Sequence, residues 1–318
     1  MTVSAVPDHR ASLNPLRGIA CKVTSVTCFT LMAVCVKAAA PLIPAGQAVF
    51  FRSFFAIPVI VAWLVIRGDL RQGLVTRNPM SHVWRGLAGI TSMMLVFAAL
   101  GLLPLPEATA IGYAAPLLVV IFAAMFLGEE VRAFRLAAVA VGLAGVLIVL
   151  SPRMTLGAGG ATPQQTLGAT LALGAAVFAA LAQVFIRKMV HAEQTSAIVF
   201  YFSVTGTCVG LLTLPFGWAL PGPREMGLLI GAGLIGGVGQ IMLTEGYRHA
   251  EVGVIAPFEY VSMLLALALG YFVFAEVPTR TTLIGAALVV VAGLFIIWRE
   301  RKLGLERGRD RKVMTPQG

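Results

Sequence analysis

Apolar residues do not alternate with polar ones along this chain but run in blocks of about 20, broken by short links that carry most of the charge. A helix needs roughly 20 apolar residues to cross a hydrocarbon layer about 30 Å thick. Read this way, the pattern predicts ten spans, at 17–39, 44–66, 82–103, 107–127, 132–150, 166–190, 195–216, 226–247, 251–274 and 280–298. Only short links remain between them, which leaves no room for a separate extramembrane catalytic domain. The first block exceeds the 7–15-residue core of a secretory signal, so it reads as a retained span even though Ala38-Ala39-Ala40 mimics a cleavage site.

Composition sharpens the class. The chain has 318 residues, 58% of them apolar and 12% charged, against about 25% charged in soluble domains. The four cysteines (Cys21, Cys28, Cys35, Cys208) all lie within apolar blocks and suggest no disulfide framework. The formal net charge is +10, and its placement matters more than its size. With the N-terminus inside, 18 basic residues fall in inside links and the C-terminal tail against 3 in outside links, with Lys22, Lys37 and Arg52 within spans. That bias predicts an N-in, C-in protein of the inner membrane with an even number of spans. The basic tail, 299–318, then anchors topology and touches anionic lipid headgroups. Nucleic acid is not an expected partner, since no folded domain is left to shape a groove. Oligomeric state stays open, a homodimer included.

The chain also repeats. EATAIGYAAPLLVVIFAAMFLGEEVRAFRLAAVAVGLAGVLIVL from Glu107 parallels EVGVIAPFEYVSMLLALALGYFVFAEVPTRTTLIGAALVVVAGLFII from Glu251. Each copy reaches a small-Glu pair, Gly128-Glu129 and Ala275-Glu276, and then an Ala-Gly pair, Ala144-Gly145 and Ala292-Gly293, 16 or 17 residues after the glutamate. With three further spans upstream of each copy, the units are five spans long, at 17–150 and 166–298, flanked by a 1–16 tail and a 151–165 external link. A unit that crosses five times is followed by an inverted copy. Glu129 is therefore expected at the inner face and Glu276 at the outer. The fold class is all-α integral membrane: ten transmembrane helices as two inverted five-helix repeats, an arrangement that recurs in secondary transporters with the substrate at the repeat interface.

These residues carry a resemblance. The paired units, with QAVFFRSFFAI (47–57), RGLAGITSMMLVFAALGLLPLPEATAI (85–111), FLGEEV (126–131) and VIAPFEYVSMLLALALGYFVFAE (254–276), are similar to the two EamA domains of the drug/metabolite transporter superfamily. The resemblance implies a ten-helix carrier whose central cavity is lined by spans 1, 3, 4, 6, 8 and 9. The APFEY segment resembles a subgroup that includes riboflavin and S-adenosylmethionine carriers as well as amino-acid exporters.

Ionisable residues inside spans cost about 2.5–3.5 kcal/mol each or more, so each needs a reason. Glu259 lies about 12 Å into span 9, after Pro257, which removes a backbone donor, and before Tyr260. A broken helix with an acid and a phenol beside it predicts substrate contact or proton coupling, with pairing to a base of the first repeat as the alternative. Arg52 is a candidate cationic anchor, or else a structural pair or a snorkelling side chain. Lys37 and Lys22 are expected to snorkel to the headgroups. Glu245, near the inner end of span 8, is either a site acid or is neutralised by Arg248 at i+3. Tyr113 and Pro116 are the near counterparts of the Pro257–Tyr260 region, with alanine where Glu259 stands. Gln183 and Gln240 are candidate orienting groups, because an amide both donates and accepts. Thr91 and Ser92 add weaker polar groups.

Other signals are set aside. GAGLIGG (231–237) contains G-x-G-x-x-G, but an apolar span cannot supply its strand-turn-helix setting, and Gly233 and Gly237 fit close helix packing instead. The histidines (His9, His82, His191, His249) fall in the N-tail or at span ends, and no P-loop, H-E-x-x-H or G-x-S-x-G is present. The expectation is a non-enzymatic carrier, without cofactor or metal, that moves a small polar or zwitterionic metabolite by alternating access. A membrane receptor or scaffold, or less readily an intramembrane enzyme, is the rival reading.

Overall fold

The computed structural model describes residues 14–70, 73–76, 78–127, 133–154, 162–189, 193–250 and 252–313. Glu129, Gly128 and Glu251, singled out above, lie outside the described residues, as do His9 and His191. The described residues form helices and turns without strands.

Among the described residues twelve helices account for ten crossings. They are α1 (Pro15–Ala39), α2 (Ala45–Ile66), α3 (Pro79–Leu102), α4 (Leu105–Gly112), α5 (Ala114–Leu127), α6 (Ala133–Met154), α7 (Pro163–Met189), α8 (Thr195–Leu211), α9 (Pro223–His249), α10 (Val252–Ile255), α11 (Val261–Phe274) and α12 (Arg280–Val313). Among the described residues nine segments are long and apolar enough to span a membrane, and α8, with 17 residues, is a shorter tenth. The starts follow local chemistry. Asn14 and Asn78 accept the backbone N–H of Arg17 and Ser81, and Pro15 and Pro79 fill first-turn positions that need no donor. The helix of the last crossing continues to Val313, through the basic segment read above as a tail from 299.

Two crossings are broken at matching places. Span 4 is interrupted at Tyr113, between α4 and α5, and span 9 by a 3₁₀ segment at Ala256–Tyr260 that contains Pro257. Proline withdraws a backbone donor and crowds the preceding turn, which forces the tighter winding.

The packing demonstrates the inversion. α2 and α8 are repeat equivalents and run antiparallel: Gly46 abuts Thr213, and Ser53 abuts Gly206. α6 and α12 do the same, Gly142 facing Ala292 and Gly145 facing Leu288. A twofold axis in the membrane plane reverses every element it maps, so equivalents that meet on it must be antiparallel. The same axis exchanges the α1–α9 contact with the α7–α3 contact, and both are among the most extensive in the bundle. Ser25 donates to the Gly239 carbonyl at 2.8 Å in the first, and Ser92 to the Ala175 carbonyl at 2.8 Å in the second. The core therefore lies between the repeats more than within either.

Glycines set how closely the helices approach. Gly233 and Gly237 admit Phe55 and Ala56 of α2, so the expected small-residue packing holds. Cys21 and Cys28, seven residues apart on α1, press on the glycine face of α9, Cys28 against Gly239 and Cys21 against Gly246.

Candidate functional site

The end of the bundle where α1 begins is called here the near end, and the opposite one the far end. Glu259, on the 3₁₀ turn before α11, forms an ion pair with Lys22 of α1. Both lie seven residues into their crossings from the near end, which brings them level. The Lys22 side chain is 2% exposed and that of Glu259 42%, so the cation is sealed while one side of the carboxylate stays open. Lys22 therefore does not snorkel. The interior acid of the second repeat captures it, and the Tyr247 ring stands 5.7 Å from its ammonium.

The two helix breaks face each other. Tyr113 and Tyr260 meet edge to face, with ring centroids 5.3 Å apart. The Tyr113 hydroxyl lies 2.6 Å from Ser262 Oγ, which itself donates to the Glu259 carbonyl at 2.6 Å, so the phenol supplies the proton of the first bond. The Tyr260 phenol takes the space over Gly293 on α12 that any side chain there would fill. Lining up the breaks thus links Tyr113, Ser262, Glu259 and Lys22 into one chain of polar contacts across the repeat interface.

Deeper in the bundle, Arg52 is 2% exposed on α2, and its Nη2 reaches Gln240 Oε1 of α9 at 3.5 Å. Its guanidinium carbon stands 5.3 Å from the centre of the Phe202 ring on α8. A second arginine, Arg85 of α3, lies 3.9 Å over the same ring and is 4% exposed. Neither snorkels. Arg85 had been counted with the inside links, six residues into a helix whose apolar run hides it.

The remaining expected site residues are placed elsewhere. Glu245 belongs to a near-end cluster with Arg67 at 3.4 Å, His249 at 3.4 Å and Arg248 at 4.0 Å. The neutralisation foreseen for it is therefore present, although Arg67 of α2 approaches more closely than Arg248. Gln183 is half-buried on α7, and no contact among the described residues joins it to either Glu259 or Arg52. Ser92 serves helix packing.

The far end is tied by ionic contacts that sequence reasoning missed. Lys37, expected to snorkel, instead pairs with Glu276 at 2.9 Å and donates to the Leu100 carbonyl at 3.1 Å. Ala275 adopts a left-handed conformation (φ 55°) that closes α11 and turns Glu276 back, where it also accepts the Leu105 N–H at 2.7 Å. Glu107 and Arg153 form a two-pronged pair at 2.9 and 2.7 Å. Beside these ties lies a cavity of about 440 Å³, lined by Lys37, Pro41, Leu100, Arg224, Val273 and Phe274, so that crossings 1, 3, 8 and 9 all contribute. At the near end Glu193, ahead of α8, accepts from Thr76 and the Asn78 N–H and lies 3.5 Å from His82.

A signal for Phe202 and Arg85 does exist. V-F-F-R-S at 49–53 repeats as V-F-Y-F-S at 199–203, and residues 85 and 229 both stand six places after a helix-opening proline. Internal alignment of the repeats beyond their second halves brings these positions out.

Residues 16–151 and 166–298 match the EamA-like transporter family. The chain is 31% identical over 280 residues to the pseudopaline exporter CntI of Pseudomonas aeruginosa strain UCBPP-PA14, a match covering 86% of this chain and 94% of that protein. It is 29% identical to the S-adenosylmethionine uptake transporter of Rickettsia bellii, over 80% of this chain and 84% of the relative. It is 28% identical to the riboflavin transporter of Vibrio cholerae, over 83% and 87%. A solved crystal structure, 22% identical, covers 90% of this chain and 98% of its own with a TM-score of 0.65, which establishes the likeness of fold alone. With two matching regions, relatives matched over most of their length and an all-helical membrane architecture built from two inverted halves, the chain belongs to the EamA-like transporter family and is a transporter of small metabolites.

Proposed function

We propose that the protein is a secondary transporter of the bacterial inner membrane, with both termini cytoplasmic, that moves a polar or zwitterionic metabolite by alternating access. Candidate substrates are riboflavin-like vitamins, S-adenosylmethionine and amino acids; relatives are named for pseudopaline, S-adenosylmethionine and riboflavin. The observation that carries this reading is the Lys22–Glu259 pair, an ionic link between repeats whose acid is only partly enclosed. Tight binding of a cation by a fully buried carboxylate would fix the halves, whereas an acid with one open side can exchange its partner lysine for a substrate amine or a proton. Glu259 with Tyr260 would then contact substrate or couple protons, Tyr113 would brace Tyr260, and Arg52 with Gln240 would hold the opposite end of the molecule. Gln183 would join only in another conformation. Glu245 anchors the near end and would not touch substrate.

The ties at each end favour rocking of one half against the other. Lys37–Glu276 and Glu107–Arg153 clamp the far end, and the Glu193 and Glu245 clusters the near end. At the Glu245 cluster the Arg67 side chain is 40% exposed, so water can replace its partner when that end opens. The test is counterflow in proteoliposomes preloaded with each candidate class. Accumulation of labelled substrate against unlabelled internal pool is expected for one class. Saturable binding with no flux in sealed vesicles would favour the receptor reading and end this one.

A further inference from the structure

The arginines at Phe202 are the least conventional feature of the interior. A guanidinium cannot shed its proton, so burial must be answered by a counter-charge or by hydrogen bonds to every donor. Here Nε and Nη1 of both Arg52 and Arg85 are buried without a partner, and among the described residues neither side chain has a carboxylate within ion-pair distance. The Phe202 ring offers each a cation–π contact, which satisfies no N–H pointing away from it.

The repeats show that this imbalance lies on one side only. The twofold axis relates α2 to α8 and α3 to α9. The position equivalent to Arg52 is Phe202 itself, and the one equivalent to Arg85 is Leu229, which is fully buried. If the arginines existed to join the halves, an acid at 202 or 229 would serve. Those positions are apolar instead. Two positive charges therefore share one quarter of the core, walled by Phe202, Met32 and the Gly236 face of α9, with the amide of Gln240 alongside.

We propose that Arg52 and Arg85 form an oxyanion site, with Gln240 orienting the bound group, and that the transported molecule carries a carboxylate or phosphate that docks there. The proposal rests on the transport reading and deepens it by naming the acidic group of the substrate. The planar donors of two guanidiniums match the paired oxygens of such a group, which supplies the missing hydrogen bonds and counter-charge together. Because the counterparts are apolar, the ligand binds in one orientation, oxyanion toward Arg52 and Arg85 and any amine toward Glu259.

Two measurements on the purified, full-length protein test this. The first is the thermal shift produced by glutamate, citrate and inorganic phosphate, each compared with chloride at equal ionic strength and with uncharged acetamide and glycerol controls. At least one oxyanion is expected to raise the melting temperature by several degrees, the carboxylates and phosphate separating the two chemistries, and Arg85→Gln or Arg52→Gln to abolish that rise. The second needs no ligand: Arg85→Met should leave the unliganded protein as stable as the parent or more so, since it removes an uncompensated charge while keeping the stem. A shift no greater than that of chloride, a shift that survives in the Arg52→Gln/Arg85→Gln double variant, or a melting point lowered by Arg85→Met would overturn the proposal. Counterflow by the wild type in the same preparation separates the two ideas: flux without oxyanion dependence sinks the site alone, and no flux with any class sinks the transport reading.

Discussion

Substituting Glu259 by glutamine isolates the energetics of the repeat interface. Removing one partner of a buried ion pair costs about 3–5 kcal/mol, because the survivor keeps its desolvation cost without its counter-charge. Lys22, 2% exposed, is such a survivor. The 42% exposure of Glu259 means that water already screens part of the pair, which lowers the expected loss to roughly 2–3 kcal/mol. The Tyr247 ring, 5.7 Å away, retains only about 0.5–1 kcal/mol for the orphaned ammonium. At about 2–4 °C per kcal/mol for chains of this size, Glu259→Gln should lower the melting temperature by about 4–12 °C. Lys22→Met should cost less, since the carboxylate left behind reaches water. The double variant Lys22→Met/Glu259→Gln leaves no buried charge and should recover most of the loss, a coupling of about 2 kcal/mol in a double-mutant cycle. The assay is thermal unfolding of all four proteins under one set of conditions, followed by counterflow. If the two single losses simply add, the pair is not an energetic unit and the account of Lys22 fails. If the stabilised double variant also transports like the parent at every pH, Glu259 has no part in substrate or proton handling.

Close packing of α6 on α12 gives a second expectation. A Cβ at Gly145 would stand 2.8 Å from the Gly285 carbonyl, so Gly145→Val should cost about 1–3 kcal/mol in thermal unfolding, whereas Gly231→Ala, in open space, should be nearly neutral. Arg153→Gln removes a two-pronged contact to Glu107 and should destabilise more than Arg248→Gln, whose partner sits 4.0 Å away at an exposed helix end; equal losses would contradict the geometry. Glu276→Gln loosens Lys37 and should quicken thiol labelling of a cysteine placed at Leu100 from the far side; unchanged labelling would show that this tie does not close that end. Fusions should report fluorescence at the C-terminus and alkaline phosphatase activity in the 151–165 link, and the reverse pattern would invert the assigned orientation.

Hydropathy is a sum along the chain, so it was enough to locate ten crossings, the basic bias of alternate links and the odd-numbered repeat that compels inversion. It also foretold the break at Pro257 and the close approach at Gly233 and Gly237, because proline's missing donor and glycine's missing side chain act through the local backbone. Partnership was beyond it. Lys22 and Glu259 are 237 residues apart, and Arg52 and Gln240 are 188 apart, in opposite repeats. Read singly, a lysine near a span end looks free to reach the headgroups, and that expectation failed for Lys22 and Lys37, while Arg85, counted with an inside link, is buried. What decided their fate was the face of the helix each occupies once the inverted half is packed against it: a long cation turned inward has no water to reach, and it must find an acid, a carbonyl or an aromatic ring on the other repeat.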